Sequence, residues 1–413
     1  MPIVDFPKPV KGVDYLSNET SLIDGTVRAA NNVTIDKDGN FERREGYTLR
    51  VSGSGYHSLY SSDRGWLLVC HKNVINILDP ETYALSPIVT MEGNYLTSFT
   101  EYNNNLYYVN PESSGMIRGD ETVSRTLGVK LPDLTPSFGA SIDGTLAPGT
   151  YGITYTIIDD FGEESGTGPV VTVDLPDGGS IVGTMFSILA GFKWRIYMTT
   201  ADGDELYQAA EFSANTASYT VSTHRQERQP DTYQLKPLPT GMLIRPHGAR
   251  LMIADVDIIS YSDAFRPHLY NPAKHFIPLN GYPYMMESVQ SGVFVSDYDG
   301  VRFYKGGDAK EFEVIDVAEE RAIFGSSAVL PGNFMEEKFS QFDRVCVWLS
   351  QSGYMVGLPT GEVVPLHSQQ VKLPNYVQGC STYFIHEGKK QLVTPVQSNE
   401  INGSNVAIDS SIM

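Results

Sequence analysis

The chain has 413 residues, 41% hydrophobic and 19% charged, enough for a large core and more than one domain. Its formal net charge of −19 argues against a protein that grips nucleic acid, though not against one that lets nucleic acid pass. Gly 38, Pro 24, Tyr 24 and Phe 18 favour strands and turns over long helices.

Residues 1–20 begin MPIVDFPKPVKG, where Pro2, Pro7 and Pro9 discourage regular pairing, so an extended arm is expected. The stretch 28–50, RAANNVTIDKDGNFERREGYTLR, reads as a strand, a tight Asp-Gly-Asn turn and a second strand carrying Arg43, Arg44 and Tyr47. GYHSLY, GWLLVC and VINILD follow, then LTSFTEY, LYYVN, GMIRG and TVSRTLG, each bounded by turn residues. Four short strands in about this length suit one antiparallel propeller blade of ~40–50 residues. Residues 21–133 are therefore the expected first part of a propeller.

The texture changes over 134–236. YGITYTII, WRIYMTT and ASYTVS alternate as half-buried strands of a sandwich do. Tyr151, Ile153 and Tyr155 fall on one face, and Trp194, Tyr197 and Tyr207 are expected to add core bulk. The length fits an inserted fibronectin-III/immunoglobulin-like β-sandwich of ~100 residues.

Blade-like spacing returns over 237–396, where YPYMMESVQ, GVFVSD, GVRFYKG and KEFEVIDVA make the cleanest four-strand group. Expected first strands start near Tyr56, Tyr95, Tyr282 and Phe324, and 397–413 reads as a tail. The expected fold is all-β: a propeller of about six blades interrupted by the sandwich. The strands near 376–396 look two short of a blade, so the 28–50 hairpin is expected to complete it.

No constellation here reaches the standard of a catalytic, cofactor or metal site. IDKDGNFE places Phe41 and Tyr47 where a calcium loop needs Gly and a bidentate acid. SSDRGW resembles a sialidase-propeller box but lacks its spacer, and such a box is a structural turn. Asp159-Asp160 and Glu163-Glu164 read as solvated turn acids rather than a metal or general-acid site. The eight histidines lie singly, with His247 and His268 in apparent loops beside Pro and Arg. Arg118-Gly119-Asp120 is read as a turn. Cys70, Cys346 and Cys380 form no ligand cluster, and three cysteines make no complete disulfide framework. No leader pattern opens the chain, and SIVGTMFSILAGF is shorter than the ~20 residues of a spanning helix. A soluble protein is expected.

Asn31-Asn32, Asp38-Gly39 and Arg43-Arg44-x-Gly46-Tyr47 together resemble the N-terminal signature of the tail nozzle, or packaged-DNA stabilisation, proteins of short-tailed bacteriophages. So do RLMIADVDIISYSDAFRPHLYNP, GVFVSDYDGVRFYKGG, and the pairing of Tyr-x-Ile-Thr-Tyr … Asp-x-Phe-Gly-Glu-Glu-Ser with Trp-Arg-Ile-Tyr. The resemblance implies a non-enzymatic virion protein, assembled in the host bacterial cytoplasm as a ring of about six copies. Such a ring continues the portal and adaptor channel, retains the packaged genome and conducts double-stranded DNA during ejection. It also holds fibre or plug proteins and meets the host cell surface. An acidic lumen would repel phosphates and let DNA slide. Arg43, Arg44 and Tyr47 are the expected contacts to a subunit or neighbour, since arginines pair with the carboxylates of an adjoining chain. The other reading leaves Arg43 and Arg44 solvated, one on each face of an edge strand. The alternative is a receptor- or glycan-binding virion protein, or a propeller enzyme acting on polysaccharide, with Tyr354, Tyr376 and Tyr383 lining a sugar groove.

Overall fold

The computed structural model describes residues 8–14, 16–18, 20–30, 32–35, 38–43, 46, 48–62, 64–119, 124–132, 134–224, 226, 228–335, 337–366, 376–386, 388–398 and 406–411. Within them the chain is all-β and built from many small antiparallel sheets. Five stretches, 56–90, 98–126, 243–278, 285–318 and 328–365, each form a four-stranded sheet paired in chain order. Four of their first strands, at Tyr56, Ser98, Met285 and Ala328, begin within a few residues of the expected starts; the fifth, at Leu243, matches none of them. The helical residues make three single turns, and no helix is long and apolar enough to cross a membrane.

Period-two alternation explains how the sheets stack. In Asn105–Val109, Leu106 and Tyr108 join Leu68, Cys70 and Ile75 of the first sheet. Tyr107 and Val109, on the opposite face, join Ile244, Leu251 and Ile253 of the third. Met252 and Ala254 then meet Met286, Val293 and Val295 of the fourth sheet. Met285, Phe294 and Phe303 meet Cys346 and Trp348 of the fifth. Each inner sheet is thus buried on both faces, which is why Gly292–Asp297 is buried at every position and reads as an apolar run. The result is a propeller-like, face-to-face succession.

A polar line crosses the first strands of this succession. Arg245 donates to both oxygens of Glu287 at 2.8 Å and to Ser98 Oγ at 3.0 Å, and Ser327 Oγ donates to Glu287 at 2.8 Å. His247 bonds Ser288 Oγ and the Gly306 carbonyl at 2.9 and 2.7 Å, tying the third sheet to the fourth.

In sequence, between the second and third sheets, 137–221 forms two further sheets, one of three strands and one of four. They face each other across a single core. Ile181 and Tyr219 from one sheet meet Tyr151, Ile153, Tyr155, Trp194 and Ile196 from the other. Trp194 sits edge-on to Tyr155 and Phe186, with ring centroids 5.5 and 5.2 Å apart. Tyr197 is fully buried but points to the opposite face of its strand, whereas Tyr207 is only half-buried and stays out of this core. Alternation explains the first; the bulge between Ile196 and Tyr197 marks where pairing with 207–213 shifts.

The expected closure by the 28–50 hairpin is not what forms. Val33–Ile35 and Phe41–Arg43 pair only with each other among the described residues. Strand Lys389–Ser398 has both edges taken, one by Tyr376–Gly379 and Thr382–His386 and the other by Val406–Ser411. Both edges of Lys389–Ser398 are thus filled, and the hairpin does not pair with it. Val406–Ser411 lies in the stretch read as a tail. Leu392 and Val396 of this sixth sheet pack on Val345, Val347 and Leu349 of the fifth.

Candidate functional site

Residues 8–50 form a small piece stitched to itself. The amides of Lys11 and Asp14 donate to the carbonyls of Gly25 and Val27, at 2.8 and 2.9 Å, and Val27 donates back to Gly12. The hairpin turns at Gly39, whose φ of +75° suits glycine, and a Cβ there would come within 2.6 Å of Lys8 Cβ. The Asp-Gly turn is therefore also a docking point for 8–10. Asp14 accepts from the amides of Leu16 and Ser17, both at 3.0 Å. Hydrogen bonds from Ser17, above all, hold its carboxyl below the usual value.

Arg43 ends the second strand, opposite Val33, and is exposed. Arg44 and Tyr47 lie outside the described residues. The piece also shows solvent five large apolar side chains, Val10, Leu16, Ile23, Phe41 and Leu49, between 40% and 79% exposed. Among the described residues the first buried large hydrophobic is Leu68. Among its described residues the segment buries no large apolar side chain.

The acids of Asp159–Ser165 do a different job from the one expected. Asp159 accepts from the amides of Phe161 and Glu163, at 2.9 and 2.8 Å, closing a turn through Gly162. That turn carries Phe161 onto the second sheet, where the guanidinium carbons of Arg125 and Arg118 stand 3.4 and 4.5 Å from its ring centroid. Asp160 closes on Arg125 at 3.2 Å. Glu164 turns inward and is only 9% exposed, so it is no solvated turn acid. It accepts from Thr156 Oγ1 and the Tyr197 hydroxyl, each at 2.7 Å, and pairs with Arg195. Burial, and then Glu164, push the Tyr197 hydroxyl well above its ordinary pKa. The motif is a joint: one end anchors in the two-sheet unit and the other clasps the second sheet.

Phe161→Ala is expected to weaken that clasp by about 1–2 kcal/mol, the range for two partly desolvated cation–π contacts. Faster amide exchange over 159–165, with exchange in 285–318 unchanged, is the result that checks it.

A cavity of about 250 Å³ lies beside the joint, lined among others by Glu163, Glu164, Arg195, Arg228, Arg266 and His268. Its arginines are paired: Arg228 and Arg266 share Asp231, at 3.2 and 3.4 Å. Burial, with Arg266 next, lowers His268 to about 4, so it is neutral near pH 7. Burial raises Glu163 from its ordinary value. His268 is thus no polar loop histidine.

The signs of these two groups differ. A histidine depressed from ~6.5 stabilises fully above that pH and loses its contribution as pH falls toward its folded value. A raised glutamate acts oppositely, its contribution being lost as pH rises through its folded value. Urea midpoints of the wild type are expected to fall between pH 6.5 and 4 more steeply than those of His268→Asn, and parallel curves would refute it.

The remaining sequence features have structural uses. Arg118 of Arg118-Gly119-Asp120 faces Phe161, and Asp120 lies outside the described residues. In SSDRGW, Ser62 Oγ accepts from the amides of Arg64 and Trp66, each at 3.3 Å, which makes it a turn. Cys70 and Cys346 are free and buried, and burial pushes the Cys70 thiol up to about 11; Cys380 is free and exposed. Among the described residues no His, Cys, Asp and Glu group gathers to hold a metal; Asp36 of the IDKDGNFE turn lies outside them. Tyr354 is a core residue whose hydroxyl donates to Thr394 at 2.8 Å, not the wall of a sugar groove. Tyr383 is partly exposed and lies edge-on to Phe334. Sequence reasoning missed Arg125 and the Arg245–Glu287 pair, since nothing local marks partners that lie tens of residues apart.

No protein-family model matches the chain, and no curated protein matches it significantly. Among solved structures it is similar to the N-terminal domain of Nup159, with a TM-score of 0.28 and 11% identity over 80% of this chain and 70% of that one. It is also similar to the AfRom2 CNH domain, with a TM-score of 0.19 and 9% identity over 75% of this chain and 97% of that one. Likenesses this low fix neither fold nor function, and the sheet packing above stands without them.

Proposed function

We propose that the chain is a non-enzymatic subunit of a bacteriophage tail nozzle, a ring that continues the portal and adaptor channel, retains packaged DNA and conducts it during ejection. In this reading the six sheets are the blades of a propeller, and 134–236 is a sandwich inserted between the second and third. The observation that carries it is the use made of Asp159–Ser165, one of the elements that resemble those phage proteins. Its charged residues build a joint between the two-sheet unit and the second sheet, as a load-transmitting part requires, and Glu164, at the neighbouring cavity, is held by Thr156, Tyr197 and Arg195. The net charge of −19 per copy supports it as well, because a lumen carrying part of that charge repels phosphate.

Arg43, Arg44 and Tyr47 are the proposed contacts to a neighbouring subunit or tail protein; portal, adaptor, fibre and plug proteins are the proposed partners. The test is to mix the purified protein with genome-filled heads lacking it. Rings seated on the heads, with DNA retained, are expected, and Arg43→Ala/Arg44→Ala should seat more weakly. Glycosidase or nuclease activity in the wild-type protein would overturn the reading.

A further inference from the structure

A cyclic ring of identical copies joins head to tail, so each copy must carry two different surfaces that fit each other. Two unpartnered apolar surfaces stand out on this chain. The first is the 8–50 piece, with Leu16, Phe41 and Leu49 exposed and no large apolar side chain buried among its described residues. It is also the neutral part of an acidic protein: residues 8–50 hold seven Lys/Arg and seven Asp/Glu, against 23 and 41 in residues 51–413. The bodies of two copies repel each other, whereas this piece approaches an acidic neighbour without that penalty.

The second surface is a groove of about 320 Å³ where the fifth and sixth sheets meet, lined by Pro331, Phe334, Tyr383, Phe384, Ile385 and Lys390. Its wall is largely apolar, and Phe384 and Ile385 are 42% and 63% exposed. Strand Thr382–His386 pairs on one side with Lys389–Ser398, and its other edge is unpaired among the described residues. Such an edge beside an apolar groove is a ready receiver for an extended or hairpin segment. Lys390, whose ammonium reaches the Asn333 carbonyl, places a positive charge at this groove on an otherwise acidic body.

We infer that the 8–50 piece of one copy seats Phe41 and Leu49 in the 331–390 groove of the next copy, and that this contact closes the ring. The inference rests on the ring reading above and adds the two surfaces that make it. It also gives this neutral segment a place to bury its exposed apolar side chains.

The test uses two full-length variants, an arm variant, Phe41→Ser/Leu49→Ser, and a groove variant, Phe384→Asp/Ile385→Asp. All four positions are exposed, so each variant is expected to melt with the wild type; should the groove pair unfold, Ile385→Lys alone replaces it. Alone, each variant should self-associate at least tenfold more weakly and run as a monomer. Mixed one to one, they should form a dimer and nothing larger, because only one intact arm meets one intact groove. Ring formation by a folded variant, or a mixture that stays monomeric, would overturn the pairing while leaving the ring reading intact. A monomeric wild type would overturn both.

Discussion

Glu287→Ala is expected to cost the protein about 3–5 kcal/mol, the range for breaking a buried ion pair from one side. Glu287 is buried, and its two oxygens accept from Arg245 and Ser327 across three successive sheets. Alanine leaves the Arg245 guanidinium facing a cavity with no counter-charge. Glu287→Gln keeps the shape and one acceptor and should lose less. Replacing both Arg245 and Glu287 by methionine should be nearly neutral, because apolar packing then substitutes for a pair whose desolvation offsets its attraction. Urea unfolding of the three variants checks this order. A single Ala variant as stable as the wild type would show that the polar line does not hold the sheets together.

Glu164→Ala is the second large effect, again about 3–5 kcal/mol, and it falls on the two-sheet unit. The substitution strands two hydroxyls, those of Thr156 and Tyr197, and takes away one of the two carboxylates that Arg195 pairs with. Arg195 keeps Glu211 at 2.8 Å, which limits the loss on that side. Tyr197→Phe should be milder, about 1 kcal/mol, since it removes one hydrogen bond and leaves Glu164 paired with Arg195. The readout is unfolding followed by near-UV circular dichroism, to which Trp194 and its aromatic neighbours contribute. An unchanged midpoint for Glu164→Ala would mean that the joint is not anchored there.

Much of the strand layout was legible because sheets buried on both faces write themselves as apolar runs between Gly and Asp turns. Gly292–Asp297 and Arg344–Ser350 are of this kind. The misreadings have physical causes. RPHGAR looks like a loop, yet Leu243–His247 is a strand, and Pro246 fits because a strand paired on one side asks for no amide on the other. Asp159–Ser165 looks like a solvated corner because four acids in six residues signal a turn, and the turn does form. What a local pattern cannot carry is where the turn docks: Arg118 and Arg125 lie some forty residues earlier, and Tyr197 and Arg195 come from a strand about thirty residues later. The N-terminal hairpin was read in its right place but joined to the wrong partner, because edge availability depends on Val406–Ser411, whose polar Asp-Ser-Ser end reads as tail rather than strand.

The mass of the intact wild-type protein in solution, by light scattering across micromolar concentrations, tests the central claim most directly. A ring predicts a stable species near six times the 45.5 kDa of one chain, without intermediate sizes. A single species at 45.5 kDa, unchanged at the highest concentration, would contradict it.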